Sequence, residues 1–229
     1  MNGDERDGGQ AGAVAAGAEK HIGRRAFIGL IVAGLAALFL GKGIIPRMPA
    51  WLGGSARAGG FRINSIAAGP SFDQATWRLT VDGLVRKPLT LTYPQFSGLP
   101  QVGFMRDFQC VEGWSVKDIE WKGVTVREVL QRADIDPQAT HLVFHSGDGE
   151  YTDSLTLEEA LRPDTLLAYQ MNAEPLKPEM GQPLRLVLPG NYGYKYVKWV
   201  VRVEAIAPGP EGYRGYWEHY SYPVDATIR

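Results

Sequence analysis

The chain has 229 residues, 45% hydrophobic and 21% charged, which suits one ordinary domain with an appendage and excludes collagen-like repeats, long disordered tails and multi-domain machines. Lysine and arginine number 24 against 25 aspartates and glutamates, so no basic excess exists to neutralise phosphates and nucleic acid is not an expected partner. With 28 glycines, 15 prolines, 6 Trp, 10 Tyr and 8 Phe, the composition favours short strands and shaped loops over a helical bundle, and the expected fold class is β-rich α+β.

Met1 to Lys20 is small and polar. Gly23-Arg24-Arg25-Ala26-Phe27-Ile28 then opens an apolar run of 15 residues, Ala26 to Leu40, with Lys42 and Arg47 after it. That is shorter than the roughly 20 residues of a membrane span and matches a signal h-region. The paired arginines resemble the twin-arginine export signal. Two readings stay open: a cleaved signal, or a retained anchor over residues 26–45 whose arginines obey the positive-inside rule. Both place the remainder outside the cytoplasmic membrane, in a periplasmic or equivalent compartment. Ala56-Arg57-Ala58 has the small-x-small look of a cleavage site, but Gly41 to Gly60 equally suits a tether. The division expected is 1–58 as signal or anchor plus linker and 59–229 as one folded domain. Removal of everything up to Ala58 would leave 17 basic against 21 acidic residues.

Trp77 to Gly83 alternates with period two, and a turn leads to a second short strand at Leu89-Thr90-Leu91, predicting a hairpin. Thr92 to Phe96 reads as a helix start, and Thr125 to Arg132 as a short helix with a threonine cap and Val126, Val129 and Leu130 on one face. Thr140 to Phe144 reads as a strand. Asp153 to Leu161 reads as a cap followed by an amphipathic turn or two. Leu184 to Leu188 and Tyr196 to Ile206 are the most strand-like runs.

Cys110 is the only cysteine, so it closes no intramolecular disulfide. A buried apolar thiol and a functional thiolate are equally open on composition alone. Its setting, Phe108-Gln109-Cys110-Val111-Glu112-Gly113-Trp114 with Arg106 just upstream, suits a thiolate in a pocket held by positive charge. One thiolate without Cys-x-x-Cys or a histidine set makes a poor zinc or copper site, so further ligands would come from an organic cofactor.

These residues resemble the sulfite-oxidase-type molybdopterin oxidoreductases. Cys110-Val111-Glu112-Gly113-Trp114 with Trp121-x-Gly123-Val124 is similar to the family's metal-ligand segment, and Asp164 to Asn172, with Leu166-Leu167-Ala168-Tyr169 and Met171-Asn172, to its central helix-turn. Gly181-x-Pro183-Leu184-Arg185-Leu186-Val187-x-Pro189, with Tyr192-Gly193-Tyr194-Lys195 and Val197-Lys198-Trp199, is similar to its pterin-phosphate segment. The resemblance runs from about Trp77 to Trp217, and is nearest the exported bacterial branch that includes the catalytic subunit of periplasmic methionine sulfoxide reductase. It implies a mixed, β-rich single-domain fold and a molybdenum held by one pterin dithiolene, oxo or hydroxo ligands and the Cys110 thiolate. It further implies that Arg185, Tyr196, Val197 and Lys198 grip the pterin and its phosphate, with Lys195, His145 and Asn64 as further contacts. Met180 departs from the family, which has histidine or asparagine there.

The implied activity is oxygen-atom transfer, reducing S-oxides or N-oxides of a small-molecule or protein-borne substrate, with Glu112 as proton shuttle or substrate-orienting group. A carboxylate beside the metal disfavours anionic substrates. Trp114, Tyr213, Tyr216, Trp217, Tyr220 and Tyr222 are candidate pocket walls or packing residues. Electrons would come from a haem-containing or other redox partner. The alternatives are a sulfite-oxidising type dehydrogenase and a cofactor-free binding module that keeps the fold.

Overall fold

Period-two patterning sorts the strands onto two sheets. In β3 (Arg78–Gly83) Leu79 and Val81 are buried while Arg78, Thr80 and Asp82 stand on the wetter face. It pairs with β4 (Leu89–Thr92) as the expected hairpin, Leu79 opposite Leu91, and runs parallel to β12 (Val200–Ile206). β7 (His141–Ser146) and β8 (Thr152–Thr156) complete a mixed sheet in the order β4-β3-β12-β7-β8. The computed structural model describes residues 56–58, 60–209 and 212–228. The twin-arginine-like segment and the apolar run 26–40 lie outside the described residues. Among those described, no helix is long and apolar enough to cross a membrane.

The second sheet is antiparallel and centred on β9 (Leu166–Met171). β6 (Ser115–Thr125) lies on one side of β9, with β5 (Val102–Gln109) beyond it, while β10 (Glu174–Pro175) and β11 (Arg185–Val187) share the other side. The expected helix-turn at Asp164 to Asn172 is therefore corrected to a strand over Leu166–Met171. Leu166, Leu167, Ala168 and Tyr169 are buried on both faces, and such a strand reads as a continuous apolar run without period. A separate hairpin joins β1 (Ala56–Ala58) to β2 (Phe61–Ile63).

Among the described residues three short helices follow their caps. α1 (Tyr93–Ser97) opens on a Thr92/Gln95 capping box. In α2 (Val126–Ala133) the Thr125 hydroxyl accepts from Glu128 N at 3.1 Å, and Val126, Val129, Leu130 and Ala133 are buried at helical spacing. α3 (Leu157–Ala160) is capped by Thr156 with Glu159, so the cap expected at Asp153 is corrected: Asp153 to Thr156 belong to β8, and Thr156 ends that strand. The long strand expected from Tyr196 is shortened to Val200–Ile206, because a 3-10 turn occupies Gly193–Lys195 and Trp199 has φ +54°, which no strand tolerates. Trp121, Phe96, Phe144, Leu130, Leu155 and Leu166 belong to one core cluster.

Candidate active site

Cys110 sits at the tip of the β5–β6 hairpin. Its N–H donates to Trp114 O at 2.9 Å, and its own carbonyl accepts from Gly113 N at 3.1 Å. Phe108 behind it packs on Phe61 at 5.0 Å and Trp114 at 5.5 Å between ring centroids. The sulfur is thus seated at the edge of the core, where burial raises the thiol pKa. The Glu112 charge adds to that rise, while the N–H groups of Glu112 and Val111 and the Arg62 guanidinium oppose it. The expected influence of Arg106 is corrected, because its guanidinium lies over the Phe104 ring at 5.3 Å and 4.0 Å from Asp164. A bound metal would convert such a thiol to a thiolate by its own charge.

Arg185 enters from β11 and is 6% exposed. Its guanidinium lies between four rings, at 5.3 Å from the Phe108 centroid and 5.9 Å from those of Phe61, Trp121 and Tyr196. The one hydrogen bond it makes to the protein, among the described residues, runs to Met180 O at 3.2 Å, and its Nε has no partner. Burial lowers its pKa to about 10. Buried charges are ordinarily paired, so a guanidinium without a carboxylate calls for an anion. Lys198 repeats the pattern. Its ammonium donates to Asn64 O at 2.8 Å, Glu179 O at 3.3 Å and Ser65 Oγ, all neutral acceptors, and burial followed by the Arg185 charge lowers its pKa to about 7. Gly181 makes this placement possible: its φ is +108°, and a Cβ there would stand 3.1 Å from Lys198 Cα.

Asn64, just after β2, links the two halves of the site. Its carbonyl accepts from Lys198, and its side-chain amide donates to Glu112 Oε2 at 3.4 Å. The Trp114 indole N–H donates to the same oxygen at 3.2 Å. Tyr196 is buried against Phe108, which pushes its hydroxyl pKa up. Val197 bonds to β11 through Leu186 N at 2.8 Å, which fixes the turn carrying Lys198. The Tyr222 phenol is close enough to feel the charges of Glu112 and Cys110, which add to burial in raising its pKa.

Two sequence expectations are corrected. Lys195 is 2% exposed and its ammonium contacts Asp153 Oδ1 at 2.8 Å, Ser154 O at 3.1 Å and Glu218 Oε1. Three donors meet three acceptors, so none is left for a phosphate. His145 stands on the outer face of the mixed sheet, with Nε2 at 3.0 Å from Glu204 Oε2 and 3.3 Å from Arg202. It is an ordinary strand residue in a charge network. Of the aromatics, Trp114 and Tyr222 stand at the site, whereas Tyr216, Trp217 and Tyr220 stack among themselves and Tyr213 bonds to Thr152 at 2.8 Å. Arg62 and the ring cage of Phe61, Phe108 and Trp121 were not foreseen. The one signal in the sequence is the alternation Ile119, Trp121, Gly123 along β6.

The arrangement fits a phosphate-bearing pterin cofactor. Buried Arg185 and half-buried Lys198 bond to no carboxylate, one soft sulfur stands at the core edge two residues past the Phe108 ring, and no described group of three His, Cys, Asp or Glu side chains is placed to hold a metal unaided. Comparison with known proteins agrees. The family described as "Oxidoreductase molybdopterin binding domain" matches residues 66–214. The uncharacterized oxidoreductase YuiH of Bacillus subtilis is 35% identical over 150 residues, 66% of this chain and 74% of that protein. The protein-methionine-sulfoxide reductase catalytic subunit MsrP of Gluconobacter oxydans is 36% identical over 157 residues, and that of Campylobacter jejuni 30% over 173. These cover 61% and 69% of this chain but 50% and 57% of the reductase subunits. The sulfane dehydrogenase SoxCD of Paracoccus pantotrophus shares the fold, with a TM-score of 0.62 and 21% identity over 89% of this chain and 57% of that one. The chain belongs to the oxidoreductase molybdopterin-binding domain family, of the sulfite oxidase type.

Proposed function

We propose that the chain is an exported molybdenum oxidoreductase that reduces neutral S-oxides or N-oxides. The observation that carries this reading is the pair Arg185, buried in the ring cage that includes Phe108, and its half-buried neighbour Lys198, neither of which bonds to a carboxylate. When bound, Mo-molybdopterin supplies two-electron oxygen-atom transfer, chemistry that no side chain provides. Arg185 and Lys198 would hold its phosphate through charge-assisted bonds, Tyr196 and Val197 would shape its bed, and Cys110 would ligate the metal.

The remaining residues serve the substrate. Reduction of an S-oxide takes two electrons and two protons and yields a thioether and water. Glu112 is exposed to solvent and held by Asn64 and Trp114, so it can hand on a proton beside Cys110 and be recharged from water. Its charge also turns away anions, which argues for sulfoxides over sulfite. The names of the relatives MsrP support a methionine sulfoxide type of substrate, and the word subunit in them supports a separate electron donor. We take that donor to be a membrane haem protein or similar redox partner, with residues 26–45 keeping the domain near it.

The test is molybdenum and pterin content of the exported protein beside Cys110→Ala, followed by sulfoxide and sulfite assays with an artificial electron mediator. One molybdenum per chain, lost in the variant, with sulfoxide reduction as the faster reaction, is expected. Absence of metal and pterin from the wild type would leave the cofactor-free binding module as the better reading.

A further inference from the structure

The Lys195, Asp153 and Glu218 triad is the most buried charge cluster in the described residues, and the reaction above does not use it. Lys195 and Asp153 belong to the body of the domain, whereas Glu218 arrives on the C-terminal segment, in a 3-10 turn over Trp217–Tyr220. Its carboxylate is 0% exposed and is engaged at both oxygens: Oε1 meets the Lys195 ammonium and Oε2 accepts from Gly215 N at 2.7 Å. Gly215 lies so close to Asp153 that a Cβ would stand 2.8 Å from its carboxylate carbon. The segment is therefore fixed in register, and a shift along the chain would bring a side chain into the Asp153 carboxylate.

Four residues after Glu218 the same segment delivers Tyr222. The Tyr222 N–H donates to Trp217 O at 3.2 Å, and its ring meets Trp217 at 5.3 Å and Tyr194 at 5.2 Å; Tyr194 follows Gly193, which lies so close to the Phe108 ring behind Cys110 that a Cβ there would clash with it. Tyr194 also donates its hydroxyl to Pro223 O at 2.7 Å. Lys195, directly after Tyr194, opens the turn to Tyr196, Val197 and Lys198. One ammonium thus ties the segment that carries the cofactor cradle to the segment that walls the cysteine pocket. A buried ion cluster is seldom the most stabilising filling for a core site, since well-packed apolar residues of similar volume do as well or better. What it adds is direction.

We propose that Glu218, through Lys195, is a positioning residue that seats the C-terminal segment on the Cys110 pocket and so sets the productive placement of substrate. This rests on the reading of Cys110 as the reacting centre. The triad acts through Tyr222 and touches neither cofactor nor substrate. Its effect falls on substrate placement and on order in the segment, while cofactor retention stays with Arg185 and Lys198.

The experiment compares the full-length loaded protein with Glu218→Ala and the milder Glu218→Gln. Amide exchange is read at Gly215, Tyr216 and Tyr222, whose N–H groups bond to Glu218, Thr152 and Trp217. In Glu218→Ala these amides exchange faster by about tenfold or more while β3, β7 and β12 keep their protection, because the opening is local. Molybdenum and pterin content stay at wild-type level, and KM for a methyl sulfoxide rises by about fivefold or more with kcat less changed, the pattern of lost substrate placement. Glu218→Gln, which keeps an acceptor for Lys195, falls between the two. Unchanged exchange at the three amides overturns the proposal, as does an equal fall in kcat with KM constant. If Glu218→Ala does not fold, Glu218→Gln decides by the same measures. A protein without sulfoxide turnover would sink the activity reading, and the exchange data would still decide whether Glu218 seats the segment.

Discussion

Replacing Arg185 by methionine separates a charge kept for the fold from one kept for a ligand. Burial lowers the Arg185 pKa from 12.5 to about 10, which at about 1.4 kcal/mol per pKa unit is roughly 3 kcal/mol against the charged form. On the favourable side stand one hydrogen bond from a charged donor to Met180 O, about 1.5–3 kcal/mol, and ring contacts near the outer limit of cation–π range, about 0.5 kcal/mol apiece. The two sides nearly cancel. In cofactor-free protein Arg185→Met should therefore change unfolding stability by no more than about 1 kcal/mol, where breaking a satisfied buried ion pair costs about 3–5 kcal/mol. In loaded protein the same change leaves a buried phosphate without its guanidinium, and cofactor retention should fall by about a hundredfold or more. Urea titration of protein made in a pterin-deficient host, beside pterin content of protein made in a competent one, reads both effects. A loss of 3 kcal/mol or more in the cofactor-free protein would refute the reasoning, for it would make Arg185 a structural cation. Undiminished pterin retention would refute it from the other side.

The remaining expectations concern charge and the sulfur. Cys110→Ala should abolish molybdenum retention yet shift the urea midpoint of cofactor-free protein by the equivalent of less than about 1.5 kcal/mol, since the thiol fills a site only at the core edge. Lys198 is held at about 7 against 10.5 when unfolded, so the folded chain binds fewer protons between those values. Cofactor-free stability should then rise with pH across that window, and Lys198→Met should remove the rise in urea midpoints taken at pH 7.5 and 9.5. Asp153 behaves in the opposite sense. Burial first and the Glu218 charge next push it up to about 7 from 3.8, against the pull of Lys195, so the folded chain binds more protons in that window. Stability should fall as pH rises from about 4 to 7, and thermal unfolding of Asp153→Asn should show a flatter profile. The groups facing Asp153 that could blur this are Lys195, Glu218, Tyr151 and Tyr194, of which the tyrosines stay neutral over the range.

Much of the architecture was legible where pattern and local chemistry coincide. β3, β4, α1, α2 and β7 each combine a period with a cap or a turn, and each lies within a residue or two of its expected place. The failures share a cause. At Leu166 to Tyr169 the strand is buried on both faces, so no alternation survives to separate it from a helix. At Asp153 a residue with good capping chemistry is instead committed to an ion pair with a lysine 42 positions away, which no local rule can see. Cys110, Arg185 and Lys198 are candidates because a motif carries them. Arg62 was not singled out, since it acts on the sulfur only by the folding of a distant segment.

Lys195 and Lys198 show why the site had to be read in three dimensions. The two stand three residues apart in the same turn region and look equally suited to a phosphate. Folding gives Lys195 two carboxylates and a carbonyl, so its charge is already over-answered and its pKa is raised despite burial. Folding gives Lys198 neutral oxygens at bonding distance and a neighbouring guanidinium, with Asp148 and Glu179 acting only through space, so burial and the guanidinium prevail and its pKa falls. The domain thus holds a surplus of negative charge on one side of the turn and of positive charge on the other. An anion as strong as a phosphate balances the second and would be repelled by the first. A phosphate ligand would be confined to the Arg185 side by the same short segment that holds Lys195 on the carboxylates of Asp153 and Glu218.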